Sequence, residues 1–306
     1  MISIILVEYK RPDFTRTCIE SLYQTTYKDK EIIVINNSQN NIGLAVASNK
    51  GAKQAKGEYL FFLNNDTLVK EDIFERLLEH KDPTHLYGYN VLGCRMFNYD
   101  GTKELDSALS VDRFGCPAGK TGRMFYPDGA IFIEKSVFDE IGGFDEKLFL
   151  YGEDKDLCWR IWLAGYSVSY CDSAIFYHAS TSVCNPQVSR QEGFDTNYFR
   201  RRLSERNIIR SMLKNYSLGS LFRILPQYIF WSMLEIGLIL LTNPKAIWKS
   251  YLPAYWWNIV NLEDTIRARK KVIHKVADKD VPFSKAIGKL FVLKTMGVPR
   301  WEKERL

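Results

Sequence analysis

The sequence predicts an α/β fold, a mixed sheet flanked by helices with a C-terminal helical appendage, and three observations carry that prediction. Apolar strand-like runs alternate with helix-like stretches through the first third of this 306-residue chain. The charge changes sign near residue 200: residues 1–199 hold 21 Lys/Arg against 28 Asp/Glu, and residues 200–306 hold 21 against 8. Beyond residue 196 the apolar periodicity turns wholly helical. Hydrophobic residues make up 46% of the chain and charged ones 25%, which excludes disorder and low complexity.

Residues 2–7 form an unbroken apolar run, read as a buried strand; no basic stretch precedes it, and it is too short for an export signal. A helix over 11–24, a strand over 31–35, a helix over 43–56, a strand over 58–63 and a helix over 71–80 complete a βαβαβα pattern. Strands apolar on both faces predict a parallel sheet covered by helices, with ligands beyond the carboxyl ends of the strands at 8–10, 36–38 and 64–66. A looser middle containing Gly101, Gly115, Pro117, Gly119 and Gly122 follows, then a strand over 130–133, a helix over 153–164 and a strand over 167–171. Helical periodicity returns over 198–214, 221–241, 246–275 and 282–293. The predicted division is a catalytic domain over 1–195 and a basic, aromatic-rich helical region over 196–306.

The six cysteines show no CxxC pair, so neither a zinc ribbon nor a disulfide scaffold is expected, and reduced thiols point to the cytoplasm. In the helical region Trp231, Trp248, Trp256 and Trp257 lie among tyrosines and the basic residues Lys245, Lys249, Arg267, Arg269, Lys270 and Lys271. Aromatics beside Lys and Arg suit an anionic membrane surface, which predicts peripheral attachment to the inner face of the membrane, with self-association of the same helices as a second use. The stretch 224–242 is nearly uncharged, but Pro226 and Glu235 interrupt it, so an interfacial or core helix is expected rather than a spanning one. The basic residues alternate with apolar runs instead of forming a polar stripe, which argues against nucleic acid.

Chemistry-bearing residues gather at three places. The strand over 58–63 delivers Asn64, Asn65 and Asp66 to its carboxyl end, where a carboxylate faces ligand. Mg²⁺ or Mn²⁺ bound to a diphosphate needs only one or two protein carboxylates, and Asp66 suits that task unless it merely caps the next helix. Asn64 can hydrogen-bond a ribose hydroxyl or a metal-bound water. Glu153, Asp154 and Asp156 precede an apolar helical run; either they serve the helix dipole, or one is a general base beside a metal. Asp154 is the first choice for the base and Glu153 its rival, while Asp156 orients the helix or an acceptor hydroxyl. Trp159 and Trp162, at helical spacing, are read as core. His178 follows the last strand-like run; a lone histidine is more often structural than a ligand.

These residues carry a likeness. Glu8 and Tyr9, the run from Glu31 to Asn37, then Asn41, Gly43, Asn49 and Gly51, then Gly57 to Tyr59 and Asn64 to Thr67, followed by Gly129, Ala130, Gly142 to Glu146, Tyr151 to Leu157 and His178, stand in the order found in family 2 glycosyltransferases. Over about residues 2–185 the chain resembles those inverting enzymes of the GT-A fold, a Rossmann-like mixed sheet. The resemblance implies that the loops after the first two strands hold a nucleotide sugar through Glu8, Tyr9, Lys10, Asn36, Asn37, Gly43 and Asn49, with Asn64 and Asn65 beside them. It implies further that Asp66 ends a degenerate DxD motif binding Mn²⁺ or Mg²⁺, that His178 is a second metal ligand, that Asp154 is the base, and that Gly129 and Asp156 lie toward the acceptor. Asn36 stands where the family usually has Asp and Lys10 where it often has Asn, which leaves the base of the donor open. Asn64 before Asp66, and Arg200 to Arg202 with Arg206 and Asn207 ahead of the tail, are similar to the branch of rhamnosyl- and galactofuranosyltransferases. The implied activity is transfer from a dTDP- or UDP-sugar to a hydroxyl of a glycan or lipid-linked acceptor in cell-surface polysaccharide synthesis.

Two other readings stay open: a nucleotidyltransferase acting on a sugar phosphate, for which Lys10 and Arg11 would hold a triphosphate, and a non-catalytic, membrane-associated sugar-nucleotide binder. The run from Gly115 to Thr121 is one residue short of a phosphate-binding loop and lacks a preceding strand, so it is read as a mobile lid. No GxGxxG follows the first strand, which excludes a dinucleotide-dependent oxidoreductase.

Overall fold

Each of the first three apolar runs becomes a strand. In the computed structural model, which describes residues 1–81, 90–118, 124–179, 195–288 and 300–301, the chain opens with β1 (Ile2–Glu8), α1 (Pro12–Gln24), β2 (Lys30–Asn36), α2 (Leu44–Gln54), β3 (Tyr59–Asn64), β4 (Thr67–Val69) and α3 (Ile73–His80). Pro12 sits in the first turn of α1, where its missing N–H costs no helical bond. There follow β5 (Val91–Asn98), β6 (Glu104–Leu105), β7 (Ala108–Ser110), β8 (Phe125–Pro127), β9 (Ala130–Glu134), α4 (Lys135–Glu140), α5 (Glu153–Leu163) and β10 (Val168–His178). The main sheet has the order β2-β1-β3-β9-β5-β10-β4, with β6 paired to β5. β1 runs parallel to β2 and β3. From β9, antiparallel to both β3 and β5, the sheet is mixed, as the sequence predicts for its second half.

Two of the longer strands differ from expectation. β5 lies in the stretch read as loose, because Gly93, Arg95 and Asn98 blur its apolar pattern. The last strand does not stop at residue 171: exposed Asp172 and Ser173 sit in a bulge between Cys171 and Ile175, after which pairing with β5 resumes through His178.

The chain packs as two compact units, one of Met1–Leu109, Tyr126–Phe149 and Tyr166–Gln191, the other of Ser110–Phe125, Leu150–Gly165 and Glu192–Leu306. In the first, Ile2, Ile4, Leu6, Phe61, Leu63 and Phe132 of the sheet bury against Cys18 and Leu22 of α1 and Ile73, Phe74 and Leu77 of α3. Phe61 meets Phe74 edge-on at 5.5 Å between centroids, a geometry that aromatic quadrupoles favour. Five cysteines, Cys18, Cys94, Cys116, Cys158 and Cys171, are buried free thiols, and burial pushes that of Cys18 up to about 11.

The edge strand β2 is tied down by a carboxylate. Glu31 Oε1 accepts from Ser3 Oγ at 2.6 Å and from the Lys56 N–H at 2.7 Å, while Ser3 Oγ accepts from the Gly57 N–H at 2.8 Å. Burial opposes the charge on Glu31, yet the Ser3 hydroxyl and those N–H donors hold its pKa below the ordinary carboxylate value. A depressed folded-state pKa means stabilisation that is present above the unfolded-state value and is lost as the pH falls through the folded one. The Glu31→Gln variant is therefore expected to be less stable than wild type at pH 7, with the gap closing as urea melts are repeated at increasingly acid pH. A gap independent of pH would contradict this account.

The C-terminal helices of the second unit are α6 (Tyr198–Asn215), α7 (Leu218–Thr242), α8 (Leu252–Val260) and α9 (Leu262–Arg269). Pro226 lies inside α7 without ending it. The single helix expected over 246–275 is divided: a π turn spans Ile247–Tyr251, Pro253 sits in the first turn of α8, and Asn261 separates α8 from α9. Residues 282–287 are not helical, contrary to expectation, and Ser284 forms an isolated bridge to Asp112; residues 289–293 of that expected helix lie outside the described residues. Two segments that precede residue 195, 110–125 and 150–165, belong to this unit, so α5 packs with the C-terminal helices.

Candidate active site

The site is built first from the end of β3. Asn64 closes that strand, and its N–H donates to the Gly129 carbonyl at 2.9 Å. The chain then turns into β4, which pairs antiparallel with β10 so that His178 lies opposite Thr67, next to Asp66. Asp66 Oδ1 and His178 Nε2 stand 3.0 Å apart, and Asn64 Nδ2 is 3.3 Å from the same imidazole nitrogen. Both members of the pair are about nine-tenths buried, Asp66 at 9% and His178 at 7% exposure. The turn itself is braced: Thr67 Oγ1 donates to the Asn64 carbonyl at 2.6 Å, the Ala179 N–H donates to the Asp66 carbonyl at 3.0 Å, and Asn65 Nδ2 donates to Thr15 Oγ1 at 2.9 Å. Asn64, Asn65 and Asp66 thus form one cluster with His178, which lies more than a hundred residues further along the sequence. The turn glycine Gly129 belongs to its frame, because the carbonyl it offers to Asn64 aligns β9 with the end of β3.

The nucleotide candidates occupy the loops after β1 and β2. Glu8 and Tyr9 are half-buried, Lys10 and Asn36 are exposed, and the Lys10 ammonium lies 5.2 Å from the centroid of the Tyr9 ring. The two loops are stitched together where the Asn37 N–H donates to the Glu8 carbonyl at 2.8 Å and the Lys10 N–H donates to Ser38 Oγ at 2.8 Å. Asn37 is buried, and its amide orders the following turn, accepting from the Ile42 N–H at 2.9 Å and donating to Asn41 Oδ1 at 3.1 Å. Asn49 sits away from the loop surface: it is buried, donates to the Phe144 carbonyl at 2.9 Å and accepts from the Phe144 N–H at 3.0 Å. The geometry gives Asn49 the task of clamping the turn over Gly142 to Phe144.

Gly43 opens α2 at φ +87°, ψ 159°, and a Cβ there would lie 2.5 Å from Phe149 Cδ2 and 2.8 Å from the Phe149 carbonyl oxygen. That carbonyl accepts from the Leu44 N–H at 2.7 Å, so the close approach is a bond the glycine permits. Gly43→Ala is expected to cost about 1–3 kcal/mol in a chemical melt; a loss below about 0.5 kcal/mol would show that the loop relaxes freely.

The carboxylate cluster belongs to the second unit. Gly152, at φ +104°, precedes α5, and Glu153, Asp154 and Asp156 all lie in its first turn, where the helix dipole favours negative charge. Glu153 is buried, whereas Asp154 is half-exposed and its Oδ1 accepts from the Lys155 N–H at 2.7 Å. Asn207 of α6 steadies the entry to this helix by donating to the carbonyls of Leu150 and Tyr151 at 2.9 and 2.8 Å. Asp156 is fully buried: Oδ2 accepts from Arg160 Nε at 2.9 Å and Lys214 Nζ at 2.8 Å, and Oδ1 from Asn215 Nδ2 at 3.0 Å. These partners make Asp156 the bond between α5 and α6 in place of an acceptor contact. Arg160, four residues on, is a sequence signal for this role; Lys214 and Asn215 carry none. Trp159 is 1% exposed and packs edge-on against Tyr216 and Phe283, as expected of a core residue.

The phosphate-loop look-alike has a different task. The N–H groups of Phe114 and Cys116 donate to Asp112 Oδ1 at 2.8 and 2.9 Å, so its described part wraps a carboxylate of its own chain. Gly119, Lys120 and Thr121, the rest of the run read as a lid, lie outside the described residues.

Comparison with known proteins supplies the class. Residues 3–144 match the family model for glycosyl transferase family 2, and residues 119–182 match that for the N-terminal domain of galactosyltransferase. The O-antigen chain rhamnosyltransferase RfbN of Salmonella typhimurium is 24% identical over 237 residues, 65% of this chain and 72% of that protein. The O-antigen biosynthesis protein RfbC of Myxococcus xanthus is 24% identical over 233 residues, 59% of this chain but only 17% of that much longer protein. Among solved structures, GalNAc-T7 with UDP, GalNAc and Mn²⁺ superposes with a TM-score of 0.50 at 16% identity, covering 70% of this chain and 48% of that one. The match over residues 3–144 places a family 2 glycosyltransferase domain in the first part of the chain, and the strand order and the superposition give it an α/β fold of the GT-A kind.

Proposed function

We propose that the protein is a metal-dependent, inverting glycosyltransferase that moves a sugar from a nucleotide-diphosphate donor, a dTDP- or UDP-sugar, to a hydroxyl of a glycan or lipid-linked acceptor in polysaccharide synthesis. The observation that carries the reading is the buried Asp66–His178 pair at the end of β3, with Asn64 beside it. One carboxylate and one imidazole suit a Mn²⁺ or Mg²⁺ ion that shares its coordination shell with diphosphate oxygens. The ion would neutralise charge on the departing diphosphate. Asp154, half-exposed at the start of α5, takes the proton of the acceptor hydroxyl as its oxygen bonds to the anomeric carbon and the bond to the diphosphate breaks, which inverts the configuration. Glu8, Tyr9, Lys10, Asn36 and Asn37 border the nucleotide, with Asn37 shaping its loop.

The test is thermal stability against UDP, dTDP, GDP and CDP, each with and without Mn²⁺. A nucleotide at about 100 times its Kd is expected to stabilise by roughly 2.7 kcal/mol, with one base preferred, and Asp66→Ala is expected to abolish the metal-dependent part. A wild-type protein indifferent to every nucleotide would overturn the reading.

The second unit is proposed to seat the enzyme on a membrane. α7 is long and apolar enough to cross one, yet its one carboxylate, Glu235, is 3% exposed and turned inward to Arg201 and to the Tyr251 hydroxyl. Arg201 also donates to Glu205 at 2.6 Å, which accepts from Tyr228 Oη at 2.8 Å. Burial, with Glu205 alongside, pushes the Tyr228 phenol well above its ordinary pKa, so it remains a donor. With this polar network inside, the outer side of the helices shows Phe222, Phe230, Met233, Leu241, Trp248 and Trp256 to solvent. Such a face fits the boundary of a bilayer, or a second copy of the chain, and the net charge of residues 200–306 favours the bilayer.

A further inference from the structure

In the second unit an open groove of about 1110 Å³ lies between the start of α7 and α9. Small-ligand pockets typically span roughly 300–1,000 Å³, so the groove has room for a whole small molecule. Its walls are graded. Along α9, Leu262 and Ile266 line one end, and Arg269 and Lys270, a turn further on, line the other. The start of α7 contributes Leu218 and Leu221, then Arg223. Arg269 Nη1 donates to the Leu213 carbonyl at 2.7 Å, which holds the guanidinium against the groove. Among the described residues no carboxylate pairs with Arg223, Arg269 or Lys270. The one acid in the lining, Asp278, accepts from the Ser217 N–H at 2.8 Å and has His274 Nδ1 at 3.9 Å. Five Lys/Arg against that one acid give the groove a positive field, which draws an anion. Its apolar lining does not stop at the rim: Leu218 is 64% exposed, and Phe222, one turn along α7, is 79% exposed on the face proposed for the bilayer.

A small anion has no use for the aliphatic end, and a base finds no Phe, Tyr, Trp, Asn or Gln in the lining to stack on or to read its edges. We propose that this groove binds one anionic phospholipid, its phosphate among Arg223, Arg269 and Lys270 and the first part of an acyl chain against Leu218, Leu221, Leu262 and Ile266. A phosphate offers several oxygens, which suits two guanidinium forks and an ammonium converging from two helices. The choice of a membrane lipid rests on the membrane reading above and adds to it a discrete site that holds one lipid by head and chain together. A surface held by diffuse charge would treat neighbouring lysines alike, whereas the groove sets Lys270 apart from Lys271, which does not line it.

The probe is dihexanoylphosphatidylglycerol below its micellar concentration, titrated into the full chain by calorimetry. Dihexanoylphosphatidylcholine shares its chains without the net charge, and glycerol phosphate carries a phosphate without the chains. Wild type is compared with Arg223→Gln, Lys270→Gln, Ile266→Ser and Lys271→Gln, all at exposed positions, and circular dichroism melts confirm that each variant is folded. The expected result is saturable uptake of the anionic lipid, one molecule per chain, with weaker binding of both comparison compounds. Arg223→Gln and Lys270→Gln should each lose about fivefold in affinity, Ile266→Ser should lose both lipids, and Lys271→Gln should change far less. Equal losses for Lys270→Gln and Lys271→Gln, or equal affinity for the two lipids, would overturn the headgroup site. Glycerol phosphate bound as tightly as the anionic lipid would show a site for a soluble phosphate ester and overturn the lipid assignment. Self-association of wild type that Ile266→Ser abolishes would seat a second copy in the groove and overturn it as well. Sedimentation of wild type with vesicles of phosphatidylcholine and phosphatidylglycerol measures the membrane reading separately. Sedimentation without uptake of the soluble lipid overturns the groove and leaves attachment standing; uptake without sedimentation overturns attachment and, with it, the assignment of the lipid to a bilayer.

Discussion

Replacing Asp156 by Ala is expected to cost about 3–5 kcal/mol, enough to unfold much of the second unit near room temperature in mild denaturant. The carboxylate is fully buried and accepts from Arg160, Lys214 and Asn215. Arg160 and Lys214 are themselves buried, so truncation leaves two cations without this counter-charge in a medium that solvates them poorly. The isosteric Asp156→Asn change keeps the volume and removes the charge, and it is expected to lose most of the same stability. Urea melts followed by circular dichroism measure both, and a loss below about 1 kcal/mol for Asp156→Ala would mean that water reaches the cations and the pair counts for little. Because Asp156 follows Asp154 by two residues on the same helical turn, its variants are also expected to blur the position of the proposed base, so activity should be read only where the protein remains folded.

Asp154→Asn carries the largest expected effect on catalysis. A general base contributes typically 10²–10⁴-fold, so kcat should fall by about that factor while affinity for the nucleotide, proposed to be held by loops of the first unit, stays unchanged in titration calorimetry. The same assay on Glu153→Gln separates the two neighbours. Glu153 is buried in the first turn of α5 and Asp154 is half-exposed, so the larger fall is expected at Asp154. A full loss in Glu153→Gln with Asp154→Asn unaffected would move the base by one residue. Unchanged turnover in both would remove general-base catalysis from α5 altogether.

The candidates Asp66 and Asp154 are picked out in the amino-acid sequence because each stands at a local boundary that sequence records well. Asp66 follows an apolar run that can only be a buried strand, and Asp154 opens an amphipathic run after a glycine. His178 is legible only through the family likeness. Its place depends on a bulge at Asp172 and Ser173 that lets β10 continue past two polar residues, and on a three-residue strand, β4, too short to carry a pattern of its own. Asn49 shows a limit of another kind: as an amide in a recognisable motif it looks like a ligand contact, while in the fold its amide satisfies backbone groups of Phe144.

Over residues 1–81, β4 apart, local pattern suffices for the order and kind of the elements and for the carboxyl ends where ligand chemistry gathers, because buried strands and amphipathic helices write their burial into periodicity. The change from an acidic half to a basic one is equally plain in the residue order. Which distant groups meet is settled by the folded chain: Asp66 with His178, Asp156 with Lys214 and Asn215, Glu235 with Arg201. Such pairings are set by strand register and helix packing across dozens of residues, and a buried charge leaves no periodic trace of the partner that neutralises it.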